Sequence, residues 1–243
     1  MSKSKQTKPP ARPDKPEPQK VLDELTEGNH RFTHDQRHHP RSDLLRRKEA
    51  HLGNQADHAM ATVLACSDSR VPVEMIFDVG IMDLFVVRTA GHSMDSATLA
   101  SVEYGMLHVH TPLLVVLGHT GCGAVTAALD MVQNDAVPAQ ASLRGLLSGI
   151  TPAVHQAMAD LPEAGAEELL DRAIEENVKQ TMQALFRQSK AIREGVASGA
   201  FAAVGAIYDL AHGRVRWLEP QQTAGAPDPQ NQAAAESRNE IGG

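Results

Sequence analysis

The only two cysteines of the 243-residue chain sit inside two short words rich in reactive side chains. The first reads Ala65-Cys66-Ser67-Asp68-Ser69-Arg70-Val71, the second Leu117-Gly118-His119-Thr120-Gly121-Cys122-Gly123-Ala124. Each closes an apolar run of strand character, Ala61 to Ala65 and Leu113 to Leu117. Two thiolates and one imidazole suit zinc, and three protein ligands leave a fourth position open for chemistry. A His-x-x-Cys pair alone is a weak signal, because a loop histidine near a buried cysteine arises by chance. A second cysteine at the end of another strand, followed by Asp and Arg, makes the combination specific. Cys66, His119 and Cys122 are therefore the candidate ligands of one Zn2+ per chain.

Charge sharpens this expectation. Zinc with two thiolates is formally neutral, so a water on it is acidified less than in a three-histidine site, where its pKa is near 7. Such a centre needs a neighbouring hydrogen-bond acceptor. Asp68 lies two residues from Cys66 and Arg70 two further, so in extended backbone all three share one side. An Arg partner keeps the Asp ionised and oriented. Asp68 has two competing roles here: partner of Arg70, or fourth zinc ligand in a closed state. A purely structural zinc site is disfavoured, since closed sites normally carry four Cys or His ligands.

The elements that must position these words alternate. Strands are expected at Ala61–Ala65, Asp83–Arg88 and Pro112–Leu117, with a helical turn at Pro72–Phe77 and helices at Ser96–His108 and Cys122–Val132. Strands alternating with helices imply an α/β fold, a mainly parallel central sheet flanked by helices. Ligands gather at the carboxyl ends of such strands, where Cys66 and His119 fall. Apolar spacing at Val21, Leu22 and Leu25 predicts an N-terminal helical arm from Val21 to Phe32. One long helix is expected from Glu163 to about Glu194, stopped at Gly195. Phe201–Tyr208 and Val215–Leu218 read as a C-terminal hairpin joined through His212-Gly213. His30, His34, His38 and His39 have no clean ligand spacing and read as solvated surface.

Composition bounds the rest. An apolar fraction of 42% is ample for a core, although aromatics are only 3%. No run reaches the ~20 apolar residues of a membrane span, and the polar, basic N-terminus is unlike a secretory signal. The net charge of −7 argues against nucleic acid, whose phosphates need a basic surface. Two thiols reserved for metal suggest a reducing cytoplasm. Residues 1 to about 20 hold five prolines, six Lys or Arg and two acids, and are expected to be a disordered tail. The competing reading is a basic tail that docks the chain onto a protein partner, for example in a microcompartment. Residues 219–243 read as a second loose tail. The domain between spans 21–218.

At these residues the chain resembles the β-class carbonic anhydrases. The resemblance runs from about Val21 to Leu218. It includes Leu25-Thr26-Glu27-Gly28-Asn29 with Phe32, Cys-Ser-Asp-Ser-Arg-Val, Asp83-Leu84-Phe85-Val86-Val87-Arg88, Ala90-Gly91, Ser101-Val102-Glu103-Tyr104, and Gly118-His119-Thr120-Gly121-Cys122-Gly123. It implies a zinc lyase that interconverts CO2 with bicarbonate and a proton through a zinc-bound hydroxide. Cys66, His119 and Cys122 match the family's ligands, and Asp68 with Arg70 its catalytic dyad. Phe85, Tyr104 and Gly121 match its substrate pocket, and Gln55 a glutamine lent across a dimer interface, two residues further from Cys66 than expected. Family members form homodimers, often tetramers. His92 stands where many members have Asn. Val63 stands where a subset carries a tryptophan that forms an inhibitory bicarbonate site with an arginine and a tyrosine; Arg88 and Tyr208 match those two, and the missing tryptophan argues against that site here. Relatives on the same scaffold hydrolyse CS2 or COS, a reading the residues near the metal leave open.

Overall fold

The computed structural model describes residues 14–219. Its centre is a five-stranded sheet in the order β2-β1-β3-β4-β5, built from β1 (Ala61–Cys66), β2 (Leu84–Thr89), β3 (Leu113–His119), β4 (Ala202–Tyr208) and β5 (Val215–Trp217). The first four strands run parallel, and β5 returns antiparallel beside β4. β1 and β3 are buried along their whole length. This is why both read as unbroken apolar runs: helices cover both faces of a parallel sheet.

Alternation along these strands sends residues to two layers. Leu64, Leu114 and Val116 join a core with helices α4 (Ser96–Leu107), α5 (Gly123–Gln133), α7 (Thr151–Asp160), α8 (Ala166–Gln188) and α9 (Lys190–Ala197). The opposite residues, Val63, Ala65, Val115 and Leu117, pack with Val21 and Leu25 of α1 (Pro18–Thr33) and Ile76 of the short α3 (Val73–Ile76). Helices α2 (Leu44–Leu52) and α6 (Ala141–Ser148) complete the chain.

Several boundaries differ from the sequence reading. The N-terminal helix starts at Pro18, with Pro in its first turn, where proline's missing N–H is no loss. Lys15 Nζ donates to the Ala59 carbonyl at 2.6 Å, so residues 14–20, expected in the tail, include an anchor and a helix start. The rest of that tail, residues 1–13, and residues 220–243 lie outside the described residues. β3 continues two residues beyond Leu117, through His119, because it pairs with β4 as far as His119↔Tyr208. The long helix begins only at Ala166 and breaks at Ser189, whose backbone is extended (φ −107°, ψ 106°). Ser189 Oγ accepts Ile192 N–H, capping a new helix, and donates to Glu103 Oε1 at 2.5 Å. Serine competes with helical backbone in this way. No described helix is long and apolar enough to cross a membrane.

Candidate metal centre

β1 lies between β2 and β3, so connections leaving its two sides open a crevice at the carboxyl ends of β1 and β3. Cys66 is the last residue of β1 and His119 the last of β3. Cys122, three residues on, occupies the position just before α5. The two sulfurs and an imidazole nitrogen lie within 4.8 Å of one another, all buried.

The imidazole is already oriented. His119 Nδ1 lies 3.0 Å from the Thr120 carbonyl. A carbonyl only accepts, so Nδ1 carries the proton and Nε2 keeps its lone pair. Nε2 is buried and has no hydrogen-bond partner among the described residues. An unpaired buried acceptor is costly, unless a metal takes the lone pair. The carbonyl's own residue is fixed in turn: Thr120 N–H donates to the Tyr208 carbonyl and Thr120 Oγ1 accepts Leu210 N–H.

The sulfurs are prepared as well. Cys66 Sγ accepts N–H groups of Asp68 at 3.4 Å and Gly91 at 3.3 Å. Its thiol is pulled down to about 3, first by the hydrogen bond from the Cys122 thiol and, against burial, by His119 and those two amides. The same contact, with burial, pushes Cys122 up. A buried donor set of two sulfurs and one free imidazole lone pair fits a thiophilic divalent ion.

Beside it, Asp68 takes a bidentate grip from Arg70: Nε to Oδ1 at 3.0 Å and Nη2 to Oδ2 at 2.7 Å, with Arg70 N–H also on Oδ1 at 2.9 Å. These bonds hold the carboxyl well below the usual carboxylate range. Asp68 Oδ2 lies 3.9 Å from His119 Nε2. Of its two competing roles, this structure shows the Arg70-paired one. Arg70 Nη2 also donates to the Gly121 carbonyl at 3.1 Å, and Gly121 adopts φ +61° with open space where a Cβ would stand. Only its backbone conformation calls for glycine.

The carbonic anhydrase family model matches residues 61–215. This chain belongs to the carbonic anhydrase family. It is 40% identical over 191 residues to a carbonic anhydrase of Mycolicibacterium smegmatis, covering 79% of this chain and 88% of that one. Carbonic anhydrase 2 of Mycobacterium tuberculosis is 38% identical over 190 residues, covering 78% and 87%. Among solved structures, the β-carbonic anhydrase CafA of Aspergillus fumigatus is similar at 25% identity and a TM-score of 0.63, covering 91% of this chain and 97% of that one. A Coccomyxa β-carbonic anhydrase shares the fold at 22% identity and a TM-score of 0.63, covering 90% and 94%.

Other residues singled out for the family chemistry sit elsewhere. Phe85 is paired in register with Thr62, four residues before Cys66, hence about 13 Å back along the strand. Its ring lies tilted against Tyr104, which is half exposed, at 5.9 Å between centroids, and it packs on Ala56 and Ala59 next to Gln55. Phe85 and Tyr104 form a pair of their own, with Phe85 set back along the strand from the sulfurs of its own chain. Arg88 donates to the carbonyls of Cys66 and Asp68, bracing the loop that carries both. Val63 is fully buried and Tyr208 nearly so, on a strand three positions from β2. The bracing role of Arg88 was not legible from sequence, where the residue entered only through the resemblance. Of the four N-terminal histidines, His30 and His34 stack on each other at 4.0 Å, and the His38 and His39 N–H groups donate to Asp78. Among the described residues, only Cys66, His119 and Cys122 form a group able to hold a metal.

Proposed function

We propose that the chain catalyses the reversible hydration of CO2 to bicarbonate and a proton, with one zinc held by Cys66 Sγ, Cys122 Sγ and His119 Nε2. The observation that carries the reading is the unpartnered His119 Nε2 converging with two sulfurs beside an Arg-clamped carboxylate. Zinc held there would supply a Lewis acid that acidifies water. The chain's residues do the rest. Asp68, kept ionised by Arg70, offers Oδ2 as acceptor to the attacking water and orients its lone pair toward the CO2 carbon. Arg70 occupies both oxygens of that carboxylate, which competes with its use as a metal ligand. Arg88 and the Gly121 carbonyl fix the clamp from two sides.

The patch of Gln55, Phe85 and Tyr104 beside the edge strand β2 fits a site completed by a second copy, in which it faces the partner's metal and CO2. β-carbonic anhydrases of Sordaria macrospora that share the fold are tetrameric, and we assign this chain a homodimer or larger. Thiols used as ligands suit a reducing compartment, which favours the cytoplasm. Neither the fold nor the comparisons favour CS2 or COS hydrolysis.

The test is CO2 hydration followed with a pH indicator, with zinc measured on the same sample. Activity proportional to zinc is expected. Stoichiometric zinc without hydration above the uncatalysed rate would overturn the reading. Phe85→Asp is expected to lower the sedimentation coefficient and the activity together.

A further inference from the structure

One buried polar contact beside the centre has no part in the dyad. Asn177 of α8, only 3% exposed, sends its Nδ2 both to the Gly91 carbonyl and to His92 Nε2, each at 3.0 Å. The bond to a carbonyl fixes which amide atom is nitrogen, so His92 Nε2 accepts and the ring proton sits on Nδ1. Gly91 lies in the turn Ala90–His92 at φ +62°, and its N–H is the one aimed at Cys66 Sγ. A Cβ there would stand 2.8 Å from Ile150 Cδ1 and 3.0 Å from Ala124 Cβ. The turn is thus confined by packing on one side and by a single amide on the other.

We propose that Asn177 is a positioning residue for the metal centre: by holding Gly91 and His92 it keeps the Gly91 N–H on the Cys66 sulfur and so sets how strongly that sulfur donates. The physical reason is charge. An N–H directed at a thiolate withdraws electron density from it, which leaves a bound cation more positive. A centre with two thiolates and one imidazole is formally neutral, so that withdrawal matters more here than in a histidine-only site. Groups that orient metal ligands change affinity or activity about 10–100-fold when removed. The inference rests on Cys66 being a metal ligand.

The test replaces zinc by cobalt(II) and reads the sulfur-to-cobalt charge-transfer band, with metal loss to a chelator and the pH profile of CO2 hydration measured on the zinc form. Asn177→Leu fills a similar volume without a donor. It is expected to move the band to longer wavelength, because a sulfur without its N–H holds its electrons less tightly, and to shift the alkaline rise of activity to higher pH. Ile174→Ala, a buried position one turn earlier on α8, is expected to lower the melting temperature while leaving band and pH profile in place. If Asn177→Leu does not accumulate as folded protein, Asn177→Ser, whose hydroxyl is too short to bridge both partners, carries the same expectation. An Asn177 variant that binds cobalt with the wild-type band overturns the inference, as does an equal band shift in Ile174→Ala. Failure of the wild-type chain to take up cobalt would instead overturn the ligand assignment beneath it.

Discussion

Asp68→Asn separates catalysis from folding more cleanly than any other single change. The carboxylate accepts three N–H groups of Arg70 through its two oxygens. An asparagine has one acceptor oxygen, and its NH2 would face a guanidinium N–H, so the two-point grip cannot survive. The Arg70 side chain is 55% exposed, and an ion pair so open to solvent adds little to stability. The thermal midpoint is therefore expected to stay near that of the wild type. Zinc content should also hold, since none of Cys66, His119 and Cys122 is touched. Hydration should fall by about 10²–10⁴-fold, the usual contribution of a positioned acid–base group. Because Arg70 holds the Asp68 carboxyl below the ordinary carboxylate range, it is ionised throughout neutral and alkaline pH, so the loss should be the same at pH 7 and pH 9. Stopped-flow hydration with parallel metal analysis reads all three quantities. Activity within about twofold of wild type at every pH, with metal bound, would refute the role given to Asp68.

Cys66→Ser removes one of three metal anchors and is expected to lose zinc and activity together, read by metal analysis; retained stoichiometric zinc would contradict the ligand set. Gly121→Ala should cost about 1–2 kcal/mol, the penalty for a Cβ in left-handed backbone, whereas Gly91→Ala should cost about 1–3 kcal/mol more through contact with Ile150 and Ala124, as overpacking does; urea unfolding compares them. Burial holds His92 down to about 4, so the unfolded chain takes up a proton at His92 before the folded one does. Stability from this group is therefore complete above about pH 6.5 and lost as pH falls toward 4, by about 3 kcal/mol in all. Urea midpoints at pH 7 and pH 5 should converge in His92→Gln, and an unchanged gap would contradict the assignment.

The convergence of Cys66, His119 and Cys122 and the pairing of Asp68 with Arg70 were legible in the chain because local backbone rules govern them. Short, fully apolar runs ending in Cys66 and near His119 predict central strands, and parallel sheets place their chemistry at strand ends. The i, i+2 spacing of Asp68 and Arg70 needs nothing beyond a few residues of extended backbone. Other features depend on which segments meet in space. The break at Ser189 was hidden because helical spacing continues through it, and the competing hydrogen bond comes from Glu103 on another helix. The contact of Arg88 with the carbonyls of Cys66 and Asp68 follows from the β1–β2 register, which no local signal gives. Asn177, more than fifty residues beyond Cys122, carries no local signal at all; only the packing of α8 on the sheet brings its amide to Gly91 and His92. Sequence by itself determined the donor atoms and the strands that end in them. The tertiary structure decided their orientation, because hydrogen bonds aimed at a sulfur or an imidazole come from chain segments far away in sequence.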